Sequence, residues 1–256
     1  CNTKVRMSME VERINKLHPL SIIKSTIDNE GGQTFDLCGC DVTINPKLRS
    51  LKMSMENYSM KLLKRFDMLS VKPLETPNFD EANLFDENSV ECKFPFREVV
   101  GSLQWLATTC RPDLAHSTNT LARASAKTPT KAMAKCARKV MAYLRGTTDW
   151  VLEHSPEIEK QFIEKHKKLL ELPDNKDINQ KLFDAAIHTF SDASFGVTYV
   201  TFRSISGGIC YLYGCPVIWK SKVQTLHTNS TCEAEYVAAA DALELTCNLQ
   251  GLQNFL

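Results

Sequence analysis

The sequence predicts a two-part protein of the α+β or α/β class: a basic, helix-rich segment, then a short run of strands that closes on one long helix. Three observations predict it. Apolar residues recur at helical spacing through 96–146, with Arg111-Pro112 and Thr128-Pro129 as breaks. Three β-patterned stretches follow between 186 and 223, separated by turn residues. The charge then changes sign. Nine basic residues lie in 97–145 against only Glu98 and Asp113, a local excess of +7. Residues 233–256 carry Glu233, Glu235, Asp241 and Glu244 and no Lys or Arg. The net charge of +1 hides this segregation. It suggests a polyanion-binding surface beside a cation-binding one, with chance patchiness on a solvated surface as the alternative.

The elements read in order. Residues 1–30 hold breaks at His18-Pro19 and Glu30-Gly31-Gly32. Residues 35–44 alternate as one strand, ended by Asn45-Pro46, and 51–55 pair back as a second. A helix over 55–68 carries Tyr58, Leu62, Leu63 and Phe66 on one face. Pro73, Pro77 and the acidic 80–91 read as an exposed connection. Three helices follow: 96–110, then 112–127 opening on Pro112, then one from Thr128-Pro129 to a C-capping Gly146. A strand over 150–153 precedes an amphipathic Lys/Glu-rich helix over 156–173, read as a solvated spacer, and a polar linker over 174–181. Beyond a boundary near residue 180, strands are expected at 186–192, 203–213 and 216–223. The Thr228-Asn229-Ser230-Thr231 cluster then caps a helix over 232–249. The expected units are 1–155, a spacer over 156–181, and 182–256.

Composition excludes several classes. Hydrophobic content of 43% and charged content of 24% are those of a globular protein. No apolar run approaches the roughly 20 residues of a membrane helix, and no apolar stretch of a signal peptide follows the first residues. The chain has no initiator Met, so it is expected to begin inside a longer protein. The ten cysteines are scattered, without a CxxC pair or histidines at zinc-finger spacing. They read as reduced thiols, mostly small core residues.

Two sets of residues carry candidate chemistry. On the third helix, Met133, Ala137, Val140, Met141 and Leu144 make an apolar stripe, opposite Lys131, Lys135, Arg138 and Arg145, with Lys139 at the edge. A solvated face usually mixes signs; this one has no acid, which suits contact with a nucleic-acid backbone. On the last helix, Glu233, Asp241 and Glu244 fall on a wet side, whereas Glu235 falls among Ala238, Ala239, Ala242 and Leu245. A carboxylate on an apolar face is costly unless paired or metal-bound. Asp192 closes an apolar strand and is followed by small residues. A strand-end Asp near a helix-borne Glu suits Mg²⁺, which takes carboxylate oxygens and keeps several waters.

These segments resemble a known family. Phe190-Ser191-Asp192-Ala193-Ser194, Arg203-Ser204-Ile205-Ser206-Gly207-Gly208, Val217-Ile218-Trp219-Lys220-Ser221-Lys222-Val223-Gln224 and Ser230-Thr231-Cys232-Glu233-Ala234-Glu235-Tyr236 resemble, in order and spacing, the RNase H domain of copia-type retrotransposons. Upstream, Phe96-Arg97-Glu98-Val99-Val100-Gly101-Ser102-Leu103-Gln104-Trp105-Leu106, Thr109-Cys110-Arg111-Pro112-Asp113-Leu114 and Tyr143-Leu144-Arg145-Gly146-Thr147 resemble the same polyproteins just after their polymerase palm.

The resemblance implies the C-terminal palm and thumb-like helices of a reverse transcriptase, followed by a truncated RNase H-like mixed sheet with helices. It implies that Asp192 and Glu235 are catalytic metal ligands for Mg²⁺, in a two-metal site once the domain is complete. The reaction implied is hydrolysis of RNA in an RNA–DNA hybrid. The implied partners are that hybrid, the template–primer, and the integrase, protease and polymerase palm of the same polyprotein; no membrane is expected. The implied setting is intracellular, in a cytoplasmic virus-like particle and the nucleus. The two later acids of the four-acid nuclease site, and the Tyr-x-Asp-Asp hairpin of the polymerase, are expected outside this chain, leaving it inactive alone. The alternatives are a non-catalytic nucleic-acid-binding remnant and a domesticated interaction protein.

Overall fold

The computed structural model describes residues 12–16, 25–170, 186–198 and 201–255. The expected linker over 174–181 and the boundary near 180 lie outside the described residues.

The first lobe is a five-stranded antiparallel sheet in chain order: β1 (Ser25–Ile27), β2 (Gln33–Leu37), β3 (Cys40–Asn45), β4 (Ser50–Ser54) and β5 (Val151–His154). The stretch expected as one strand over 35–44 is a hairpin. Cys38 and Gly39 adopt φ of 56° and 87°, the conformation a tight two-residue connection requires. Asp36 Oδ1 accepts from the Gly39 amide at 2.7 Å. β5 pairs with β4 from Leu51 opposite His154 to Ser54 opposite Val151. The helices from residue 56 to residue 146 therefore lie in the chain between two neighbouring strands: α1 (Glu56–Arg65), α2 (Glu81–Leu84), α3 (Phe96–Thr109), a 3₁₀ turn (Pro112–Leu114), α4 (Ala115–Arg123) and α5 (Lys131–Gly146).

One apolar core joins this sheet to its helices. It contains Val42, Met55, Leu63, Phe96, Leu103 and Leu144, each at most 8% exposed. α5 is buried on more than its expected stripe, because Ala134, Cys136, Ala142 and Tyr143 are buried as well. The acidic connection is also anchored. Asp80 caps α2, and the adjoining Leu84 and Phe85 enter the core. Gly146 is not the expected left-handed cap; it is the last residue of α5, and a side chain there would meet Pro73 Cβ at 2.9 Å.

α6 (Pro156–Leu170) leads to the second lobe, the antiparallel sheet β6 (Ile187–Ser194), β7 (Ile205–Leu212) and β8 (Cys215–Val223), followed by α7 (Thr231–Phe255). β6 runs past Asp192, so this acid is within the strand and not at its end. α7 is longer than the expected 232–249.

Register assigns the faces, because directly opposed residues of antiparallel strands point the same way. Ile187, Thr189, Gly208, Cys210 and Ile218 face α7, where Cys210, Leu245 and Leu249 form a small core. His188, Phe190, Asp192, Ile209 and Trp219 share the opposite face. The expected solvated spacer covers part of that face. Phe162 of α6, 6% exposed, packs on the His188, Phe190 and Tyr211 rings at centroid distances of 5.3, 6.3 and 4.8 Å. The Lys and Glu residues of α6 hid a docking face made by one aromatic ring.

The first lobe reaches another part of that face. Trp219 Nε1 donates to the Ala107 carbonyl at 2.6 Å. Asn119 Nδ2 donates to the Ser221 carbonyl, and Ser221 Oγ lies 3.5 Å from His116 Nδ1. Ala107 is in the last turn of α3, where carbonyls have no partner within the helix. Trp219 supplies that partner from the other lobe.

Candidate active site and basic groove

Asp192 and Glu235 come to the same end of the second sheet. Asp192 opposes Gly207, and its neighbour Ala193 opposes Ser206. Gln224, 1% exposed, donates from Nε2 to both Ser206 Oγ at 3.0 Å and the Ala234 carbonyl at 2.9 Å. This buried amide ties the first turns of α7 to the end of β7 next to Asp192. Ser230 fixes where the helix starts by accepting from the Glu233 amide at 3.1 Å. Glu233 Oε2 in turn accepts from the Asn229 amide at 2.6 Å, which occupies Glu233 in capping.

The expected apolar setting of Glu235 is corrected. The buried stripe of α7 is Ala234, Ala238, Ala242, Leu245 and Leu249. Glu235 and Ala239 stand one residue off it, about 100° around the helix, and both are exposed. Asp192 is exposed too. The acids reach the sheet's end from different sides, Asp192 from the face away from α7 and Glu235 from α7 itself. Among the described residues, no group of three or more His, Cys, Asp or Glu side chains is arranged to hold a metal ion.

Asp192 opens onto a cleft of about 460 Å³ between the lobes. Its floor is Phe190, Ile205, Gly207, Ile209 and Trp219, and its roof is Pro112, Ala115 and His116 at the start of α4. Burial, and then the neighbouring Arg123 charge, push the His116 pKa down. Sequence reasoning missed His116 as a neighbour of this acid, since only the folded contact between lobes brings residues 76 positions apart together; Trp219, 27 positions away, joins the same face through the register of β6, β7 and β8.

The basic residues of α5 are brought together in part. Lys131, Lys135, Arg138 and Lys139 line one groove of about 540 Å³, with Lys72. Arg138 lies 5.3 Å over the Phe94 ring centroid. Arg145 is separate: half-buried, its Nε donates to the Leu69 carbonyl at 2.8 Å, so it braces the segment after α1. Lys72 was missed because it sits in a connection without periodicity. Among the described residues, no helix is long and apolar enough to cross a membrane.

The chain is α+β, with an acid-bearing strand, an acid-bearing helix and a separate cationic groove. Comparison with known proteins gives the family. Over 206 residues, 78% of its length, the chain is 31% identical to the Retrovirus-related Pol polyprotein from transposon RE2 of Arabidopsis thaliana, covering 12% of that protein. Over 218 residues, 82% of its length, it is 26% identical to the Retrovirus-related Pol polyprotein from transposon TNT 1-94 of Nicotiana tabacum, covering 14% of it. Over 196 residues, 75% of its length, it is 26% identical to a putative transposon Ty5-1 protein of Saccharomyces cerevisiae, covering 55% of it. No family model matches, and no solved structure matches. The chain belongs to the Pol polyproteins of copia-type retrotransposons.

Proposed function

We propose that this chain is the part of a Pol polyprotein that joins reverse transcriptase to RNase H, and that it contributes Asp192 and Glu235 to Mg²⁺-dependent hydrolysis of RNA in an RNA–DNA hybrid. The observation that carries this reading is the Gln224 tie, which holds the Glu235-bearing turn of α7 at the Asp192 end of the sheet. The donor chemistry fits a hydrated ion: both carboxylates are exposed, and Mg²⁺ accepts one or two carboxylates with water completing its octahedron. The two-metal site needs more acids than these. When bound, the metal supplies an activated water and charge stabilisation at the leaving oxygen. Asp192 and Glu235 hold it and need not move protons. The cationic groove binds phosphate, sequence-independently and with strong salt dependence.

The test uses a longer Pol polypeptide containing this chain, a labelled RNA–DNA hybrid and Mg²⁺. Cleavage is expected, falling to background in both Asp192→Asn and Glu235→Gln while hybrid binding persists. A folded polypeptide that binds hybrid without cleaving it is a binding remnant, and the nuclease reading fails.

A further inference from the structure

The groove beside α5 carries more than charge. Its rim holds Lys72, Lys131, Lys135, Arg138 and Lys139, and its one acid is Asp67. Among the described residues, none of these five cations is in an ion pair with a carboxylate. Its wall is apolar: Phe66, Met68, Val71, Leu74 and Ala142. Val71 and Leu74 are 36% and 41% exposed. The Phe66 ring is half-buried, with the Arg65 guanidinium 5.3 Å from its centroid. A surface that only grips duplex backbone needs cations and polar donors. Exposed apolar side chains inside a cationic rim instead suit a strand that presents phosphates and unstacked bases together. The groove is open to solvent along a volume of about 540 Å³.

We propose that this groove takes a single-stranded stretch of nucleic acid, with phosphates on the α5 cations and Lys72, and bases against Phe66, Val71 and Leu74. This rests on the reading that the basic face of α5 contacts nucleic-acid backbone. It adds a preference for the unpaired strand over the duplex. The exposed Val71 and Leu74 give it a handle that leaves the charge untouched.

The test is fluorescence anisotropy on the full chain with three probes: an RNA of roughly 12 nucleotides, the same RNA paired to DNA, and an abasic strand of equal length. Single-stranded RNA is expected to bind about fivefold or more tighter than the other two, the effect of one stacked base. The double variant Val71→Ser/Leu74→Ser, its fold checked by circular dichroism, should weaken RNA binding toward the abasic level, Phe66 remaining as a base contact, and leave the abasic strand unchanged. The double variant Lys135→Ala/Arg138→Ala should weaken all three probes. It should also lower the slope of log affinity against log salt by about 1.4 for a single strand. A duplex that binds as tightly as the single strand, or a silent Val71→Ser/Leu74→Ser variant, overturns the single-strand proposal and leaves the backbone reading standing. Failure of all three probes to bind overturns both, and binding to anionic lipid vesicles would then identify a membrane surface as the occupant.

Discussion

Arg111 shows how one residue organises its surroundings. It is 3% exposed, and its guanidinium is fully engaged. Nε and Nη2 donate to Asp113 at 2.9 and 2.7 Å, and Nη1 donates to the Thr147 carbonyl at 2.7 Å. The Tyr143 and Trp150 rings lie 5.9 and 5.5 Å from it. The Tyr143 hydroxyl closes the network by donating to Asp113 Oδ2 at 2.8 Å. Burial, then the Asp113 hydrogen bond, push the Tyr143 pKa from 10.0 to about 12. The folded chain therefore holds the phenolic proton more tightly than the unfolded chain. The contribution to stability is complete below pH 10 and is lost as pH rises toward 12. Tyr143→Phe should cost about 1 kcal/mol at neutral pH and flatten that alkaline loss, as read by urea denaturation across pH. The Arg-Pro-Asp and Tyr-Leu-Arg-Gly-Thr motifs were visible in the sequence, but their purpose was not. A buried ion network pairs residues 36 positions apart, and no local pattern encodes that.

At the scale of elements, helices were legible where a buried stripe repeats, as in α3 and α5. The hairpin of β2 and β3 was not, because Cys38 in a left-handed turn carries no sequence signal comparable to Asn-Gly. Glu235 was chosen from a wheel that treated all alanines as one face; the true stripe starts at Ala234, and the Gly208 backbone sets it. A side chain there would meet Leu245 at 3.3 Å and Ala242 at 3.6 Å, so α7 sits close on β7. α6 depends on a similar approach. Gly214, in the β7–β8 turn, has φ 77°, and a Cβ there would lie 2.8 Å from Glu159 Cα and 2.9 Å from Phe162 Cβ. Gly214→Ala should cost about 1–2 kcal/mol from the left-handed conformation alone and more from the clash. Hydrogen exchange should show α6 exchanging faster while α3 and α5 keep their protection. Unchanged exchange in α6 would mean that its docking does not depend on this approach.

For the whole molecule, the contact between lobes decides what each can do. Asp192 is exposed and lines the cleft roofed by α4, so the junction between the lobes flanks the acid. Trp219→Phe keeps an aromatic ring but loses the pyrrole part of the indole with its donor, and leaves the Ala107 carbonyl without its partner from β8. It should lower thermal stability by about 1 kcal/mol and raise the accessibility of the cleft to a solvent-borne footprinting reagent. An unchanged footprint would mean that apolar packing alone holds the lobes. His116 on the cleft roof adds a pH effect of known sign. Its pKa is depressed below 6.5, so its contribution is present above that pH and lost as pH falls through the folded value.

The Phe162 contact has a consequence for synthesis on the ribosome. The first lobe contains every strand of its own sheet by His154, so it can close while the rest of the chain is still being made. Phe162 emerges next, but its seat on His188, Phe190 and Tyr211 is complete only after residue 211 has been translated. At about 5–20 residues per second, α6 spends several seconds with its aromatic face bare beside a finished lobe. During vectorial synthesis α6 therefore keeps Phe162 open to a chaperone until β7 has been made.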